Sequence, residues 1–442
     1  MIERVIQADQ AVLPDGMRPA SIGLEAGRIA AISHVNDSQG CNNVTSLAKD
    51  EVLLPGLIDA HVHVNEPGRT EWEGYFTATK AAAAGGITTI VDMPLNSSPA
   101  TTSPAALTIK RRAAQGKLWC DVGYWGGAIP GNTADLAPLW QAGVFGFKCF
   151  LGDSGLAEYP FVSQAELVEA MTAIAAFGGL LIVHAEDAGV LAAAPKPNGS
   201  CFRSFTASHP PEAEVVAVGN VVDALRQTGC RTHILHLAAA EALPIIRAAK
   251  DEGLPLTAET CPHYLTFEAE AIPDGATDHK CCPPLRGHAN RLALWDGLID
   301  GTIDFIASDH SPCVPELKCL DTGDFGAAWG GIASVQLGLP AVWTGARDLG
   351  LSLTDVVRWM GSTPAEVVGL PGKGRLEVGG AADLVIFAPE QTFIVDKDAL
   401  FHKNPVTPYH GWQLRGQVRT TYLAGAPVDF QASPRGSELL RG

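Results

Sequence analysis

The sequence predicts an α/β protein: a closed (β/α)8 TIM barrel with a small β-sandwich domain formed by both chain ends. Three observations carry that expectation. Eight short apolar or β-branched runs lie between Leu53 and Pro312, each ending in polar, Gly or Pro residues. The stretches between them read as helices, and repeated alternation of strand and helix is the pattern of a parallel sheet able to close on itself. The two chain ends differ, carrying short strand-like runs punctuated by Gly and Pro.

Taken in order, residues 28–32 form the clearest strand-like run of the N-terminal segment. The eight barrel runs are 57–64, 87–94, 122–129, 144–151, 180–185, 233–237, 255–260 and 303–308. Among the intervening helices, 71–84 carries an alanine run before Gly85-Gly86, 164–176 is rich in good helix formers before Gly178-Gly179, and 241–252 stops at Gly253. Runs at 383–387 and 417–423 return to the strand pattern. Residues 1–52 and 372–442 are therefore expected to meet in one small β domain, leaving 53–371 for the catalytic barrel. No internal repeat or low-complexity segment interrupts this order.

Composition narrows the function classes. A chain of 442 residues exceeds the size at which single cores stop growing, so two domains are expected. With 46% hydrophobic and 18% charged residues it can bury a large core. A net charge of −17, without a long Lys/Arg run, disfavours nucleic acid and anionic membrane as partners. The first residues lack the features of a secretory signal, no apolar run is long enough to span a bilayer, and a cytoplasmic location is expected. The 10 cysteines show no C-x-x-C pair and read as reduced thiols.

The chemistry lies at strand ends. His61 and His63 are two apart on the first strand, so the pleat turns both to one face, as metal ligands require. Near the carboxyl ends of other strands stand Lys148, His184, His236 and Asp309. Any of these histidines alone could be a satisfied core residue, and Asp309 alone could cap a turn. Together they collect at the rim where barrels build their active sites. Lys148 sits in Phe147-Lys148-Cys149-Phe150, where an unpaired ammonium is costly. It must either pair with an acidic neighbour or, as the neutral amine, take up CO2 to become a carbamate. A carbamate bridging two divalent ions, with four histidines and an aspartate, would suit a hydrolase that activates water and polarises an amide carbonyl. Asp309 would then accept the proton of the attacking water and return it to the departing nitrogen. Zinc is the first expectation for the metal, with manganese, cobalt and iron accepted by the same ligands.

These residues resemble the cyclic-amide branch of the amidohydrolase superfamily, which includes dihydroorotases, hydantoinases and allantoinases, and the resemblance spans essentially the whole chain. It implies a metal pair bridged by carboxylated Lys148, with His61, His63 and Asp309 on one ion and His184 and His236 on the other. Within that branch the chain is most similar to the allantoinases, which implies ring opening of allantoin to allantoate, and relatives suggest a homotetramer. The segments that carry this are Met93-Pro94-Leu95-Asn96-Ser97, Lys280-Cys281-Cys282-Pro283-Pro284, Ser308-Asp309-His310-Ser311-Pro312-Cys313 and the long run 321–331. Dihydroorotases usually carry an arginine soon after the second histidine to hold a substrate carboxylate; Asn65 stands there instead. Hydantoinases typically place a tyrosine five residues after the bridging lysine, where this chain has Asp153. Another departure follows His236, where two serines are common and this chain has Ala238 and Ala239. Asn65, Asn96, His263 and Cys282 are the substrate-contact candidates the resemblance implies. The alternatives are a hydantoinase or dihydropyrimidinase acting on other cyclic ureides, and a non-catalytic assembly protein on the same fold.

Overall fold

The eight expected barrel runs all become parallel strands in the computed structural model, which describes residues 1–441: Leu57–Val62, Ile87–Asp92, Asp121–Tyr124 with Gly126–Gly127, Phe147–Phe150, Leu180–His184, Arg231–Ile234, Leu256–Thr260 and Phe305–Ile306. Continuous pairing divides them into two sheets, and two junctions join these into a ring. The third run changes partners at Trp125: its amide donates to the Asp92 carbonyl at 3.0 Å, and the next amide, of Gly126, donates to Gly146 at 2.8 Å. Closure comes where Val62 pairs in parallel with His310 and the His63 amide donates to the His310 carbonyl at 2.8 Å.

Strand alternation decides what faces the barrel lumen. In Leu180–His184, Leu181 and Val183 pack with Leu167, Met171 and Ile174 of the preceding helix, while Leu180 and Ile182 belong to a different apolar cluster. His184 shares the side of Leu180 and Ile182 by the two-residue period. Phe147 and Cys149 likewise pack outward with the helices, so Lys148 turns the other way, with Phe150.

Several strands are shorter than expected, each for a local reason. The fourth begins at Phe147, just after Gly146, a position where a Cβ would collide with the Leu180 carbonyl. The sixth ends at Ile234, before His236 enters the left-handed region at φ 35. The eighth is confined to Phe305–Ile306, and the Ser308 amide then donates to the Asp59 carboxylate at 3.1 Å. Among the helices, Gln164–Ala175 is held by a capping box between Ser163 and Glu166. The expected helix 71–84 starts only at Tyr75, after Gly74 at φ 132. The one expected over 241–252 divides into a 3-10 turn, Ala240–Ala242, and a helix, Leu243–Asp251.

Both chain ends build one eight-stranded sheet. Arg4–Leu13 pairs with Gly16–Glu25 on one side; on the other its first half pairs with Val44–Ser46 and Ala11 pairs with Leu53. The fork lets side chains from both arms, among them Ile6, Ile22, Leu53, Leu384, Ile386 and Tyr422, pack in one cluster. Alternate residues Val52, Leu54, Val385 and Phe387 belong instead to the large core shared with the barrel helices. Residues 52–55 pair with 384–387, which puts the passage into the barrel at Gly56. The last residues leave the small sheet: the Val122 amide donates to Ser437, and the Leu439 amide returns to Val122, at 2.9 and 2.8 Å. Among the described residues no helix is long and apolar enough to cross a membrane.

Candidate metal centre

His61 and His63 end the first barrel strand and Asp309 follows the eighth, and the ring closure described above brings the three together. Asp309 Oδ1 lies 3.1 Å from His61 Nε2 and 3.5 Å from His63 Nε2. His61 Nδ1 is 2.5 Å from Glu259 Oε1, so the carboxylate takes that nitrogen and leaves Nε2 turned inward. Burial would lift the Asp309 carboxyl, but His61, His236 and His63 outweigh it and hold the group well below the ordinary carboxylate range. Burial, with the Lys148 charge, pushes His63 well down, which keeps its imidazole neutral.

The fifth and sixth strands supply a second pair. His184 Nδ1 and His236 Nε2 face each other at 2.9 Å, and His184 Nε2 is 2.8 Å from Glu186 Oε2. Burial lowers the pKa of both rings. The ring of Phe150 stacks on His184 with centroids 4.5 Å apart and planes within 19°. The two groups adjoin, since the His61 and His236 ring centroids are 5.4 Å apart.

Lys148 lies at this junction, 1% exposed, with Nζ 3.4 Å from His61 Nε2 and 5.0 Å from the centre of the Phe150 ring. Among the described residues it forms no ion pair. Burial lowers its pKa to about 8, although Asp309 and Glu259 pull the other way. The His61, His63 and Asp309 donor atoms lie within 4.8 Å of one another, and the donor set of imidazole nitrogens and a carboxylate fits a zinc-like cation.

A cavity of about 540 Å³ opens over His63, Lys148, His184, His236 and Asp309. Asn96 and Cys282 line it; Asn96 Nδ2 is 3.5 Å from His63 Nδ1. The other two substrate candidates do not reach it. Asn65 is fully buried at φ 66, donating to the Pro312 carbonyl at 3.2 Å while its own carbonyl accepts from the Arg69 amide at 3.1 Å. It shapes the loop after the first strand, as the left-handed tolerance of Asn allows. His263 is also fully buried, packed on Tyr264 at 4.3 Å between centroids, and burial takes its pKa down to about 4.

Sequence reasoning passed over several contributors. Glu186 is two residues from His184, a spacing whose common face could have revealed it. Glu259 is a carboxylate inside a buried strand, which demands partners: His61, His233 at 3.1 Å and the His236 amide at 3.3 Å. The run 321–331 lines the cavity through Trp329, Gly330 and Gly331. Two buried lysines fasten it: Lys280 donates to the Phe325 and Ala328 carbonyls at 2.5 and 2.6 Å, and Lys318 to those of Trp329, at 3.1 Å, and Gly331. At Ala238 and Ala239 the backbone amides donate to Glu214 at 2.8 and 3.0 Å.

Comparison with known proteins agrees with this arrangement. The chain is 52% identical to the allantoinase of Streptomyces avermitilis, covering 100% of this chain and 99% of that one. It is 43% identical to the allantoinase of Saccharomyces cerevisiae, covering 98% of each. Among solved structures, the L-hydantoinase (dihydropyrimidinase) of Arthrobacter aurescens superposes with a TM-score of 0.92 at 28% identity, over 100% of both chains. The amidohydrolase family model matches residues 52–428. With this much of its length matched, and with histidines and an aspartate gathered at the barrel rim, the chain belongs to the amidohydrolase family.

Proposed function

We propose that the protein hydrolyses the hydantoin ring of allantoin to give allantoate, a step of purine (allantoin) degradation, using two divalent cations. The observation that carries the reading is Lys148: a buried amine without an ion-pair partner among the described residues, adjoining both histidine groups. His61, His63 and Asp309 would hold one ion and His184 and His236 the other, with Lys148 as N6-carboxylysine supplying the shared anion. Zinc is the first choice for these donors, and manganese, cobalt or iron would also be accepted. When bound, such a pair lowers the pKa of a shared water and polarises the amide carbonyl.

The chain's own residues complete the chemistry. Asp309, kept ionised by the neighbouring histidines, accepts the proton of the attacking water and returns it to the ring nitrogen as the C–N bond breaks. Glu259 and Glu186 hold the rings of His61 and His184 in place. The cavity volume suits a small cyclic ureide, and Asn96 offers its amide to a ureido group. The assignment of allantoin draws on the full-length relatives that bear the allantoinase name. A cytoplasmic homotetramer that engages neither nucleic acid nor membrane accompanies the reading, and sedimentation would measure its subunit number.

A substrate panel run with metal determination tests it. Allantoin should be turned over faster than hydantoin, dihydrouracil or dihydroorotate, since the metal chemistry is shared and pocket contacts discriminate. A much greater rate on hydantoin would replace allantoin as the substrate. A protein that neither contains nor takes up metal would remove the catalytic reading altogether.

A further inference from the structure

Apart from the two histidine groups, one more set of ligand-type side chains converges on the cavity. Cys281 is fully buried, whereas its neighbour Cys282 is half-buried and forms part of the cavity wall. Cys282 Sγ stands 3.9 Å from His209 Nε2. His209 Nδ1 donates to Glu186 Oε1 at 2.8 Å, and the other oxygen of Glu186 meets His184 Nε2 at 2.8 Å. The carboxylate therefore occupies Nδ1 and aims Nε2 at the sulfur, the arrangement that orients an imidazole to ligate a cation. Zinc bonds of about 2.3 Å to sulfur and about 2.0–2.1 Å to nitrogen place two such ligand atoms about 3.6 Å apart at the tetrahedral angle. Closing the observed gap needs a few tenths of an ångström. The His209 side chain is 21% exposed, so an ion can arrive from solvent.

We infer that Cys282 and His209 form an auxiliary site for a thiophilic divalent cation of the zinc and cadmium class, and that filling it inhibits turnover. The thiolate and the imidazole Nε2 are the two protein ligands, each giving up its proton on binding, and water completes the shell. Inhibition follows from position: the ion narrows the cavity and takes the place of the protons on His209 and Cys282, tying down the imidazole that bonds Glu186, the carboxylate that also orients His184. The inference goes beyond the proposed function, since it does not depend on which cyclic amide is cleaved.

The test is a titration of the metal-loaded enzyme with Cd2+, following ultraviolet absorption, bound cadmium and activity together. Binding should produce a thiolate-to-cadmium charge-transfer band, with activity falling about tenfold or more in step with it. Exchange of cadmium into the two histidine groups, which offer only nitrogen and oxygen donors, gives no such band. Cys282→Ser should abolish the band and raise the inhibitory concentration about tenfold or more, each variant being referred to its own uninhibited rate. His209→Gln should keep a thiolate band but require more cadmium to produce it. A band and inhibitory concentration unchanged in Cys282→Ser would assign the effect to Cys41, Cys201 or Cys319 and overturn the inference. Inhibition of the unmodified enzyme without thiolate absorption would overturn it too.

Discussion

Lys148 should take up CO2 far more readily than a surface lysine, and metal reconstitution should reveal it. Burial moves its pKa from 10.5 to about 8 in the metal-free protein, against the opposing pull of Asp309 and Glu259. At pH 7 the reactive neutral amine then rises from about 0.03% to about 9% of the population, a gain of about 300-fold. The sign is that of a base whose charged form is disfavoured: raising the pH through about 8 increases the neutral fraction. Between pH 6 and pH 8 that fraction grows about 50-fold, so early metal uptake at limiting CO2 should accelerate on a similar scale. The assay strips metal with a chelator, removes CO2, and adds Zn2+ with or without bicarbonate, reading bound metal and hydrolytic rate. Lys148→Ala should lose most activity in either condition, and short carboxylic acids should restore part of it by supplying the missing anion. Equal uptake without CO2, together with full metal content in Lys148→Ala, would refute the reasoning.

Other perturbations separate the roles of neighbouring residues. Glu259→Gln removes the charged acceptor of His61 and His233 and should weaken metal retention or activity about 10–100-fold, measured by dialysis against a chelator. Asp309→Asn should cost about 10²-fold or more in kcat, and a rate restored by adding metal would limit Asp309 to ligation. Asn65→Arg should lower folded yield and Tm because the site is fully buried, whereas Asn96→Ala, on the cavity wall, should act chiefly on KM; the reverse pattern would return Asn65 to the substrate site. Lys318→Met strands the carbonyls of Trp329 and Gly331 at about 1–3 kcal/mol each, which should appear as protease sensitivity within 321–331.

The candidate ligand positions are legible because strand geometry makes them so. A two-residue period fixes the common face of His61 and His63, and the end of an apolar run marks the rim where Lys148, His184 and His236 emerge. The same logic fails once the chain leaves regular geometry. Asn65 is only two residues beyond His63, yet its left-handed backbone turns it away from the cavity, which no alternation rule foresees. Composition groups the C-terminal residues with the small sheet, whereas Ser437 and Leu439 complete hydrogen bonds of Val122 in the barrel. Glu259 and His61 are 198 residues apart, and Cys282 and His209 are 73 apart, so those contacts exist only after the barrel closes.

Four non-glycine residues of this rim, Asn65, Asn96, His236 and Asp309, have positive φ, at 66, 22, 35 and 43°. Such conformations cost about 1–3 kcal/mol each where the side chain does not favour them, and His236 and Asp309 are the two proposed ligands among the four. The surrounding fold over-determines them: Glu259 accepts the His236 amide, and Asp309 is flanked by Ser308 and His310, whose backbones engage Asp59 and His63. Metal ions would then stabilise a site already shaped, by about 4 kcal/mol at a free ion concentration a thousandfold above Kd. Chelation should therefore lower Tm while leaving the far-ultraviolet circular dichroism of the folded protein unchanged. His236→Gly relaxes the backbone but deletes a ligand of one ion only, so its Tm should keep just the part of the metal dependence that comes from the ion held by His61, His63 and Asp309. If chelation instead melted the barrel's secondary structure at ambient temperature, the rim would be built by the ions, and the hydrogen bonds described here would be insufficient to hold it.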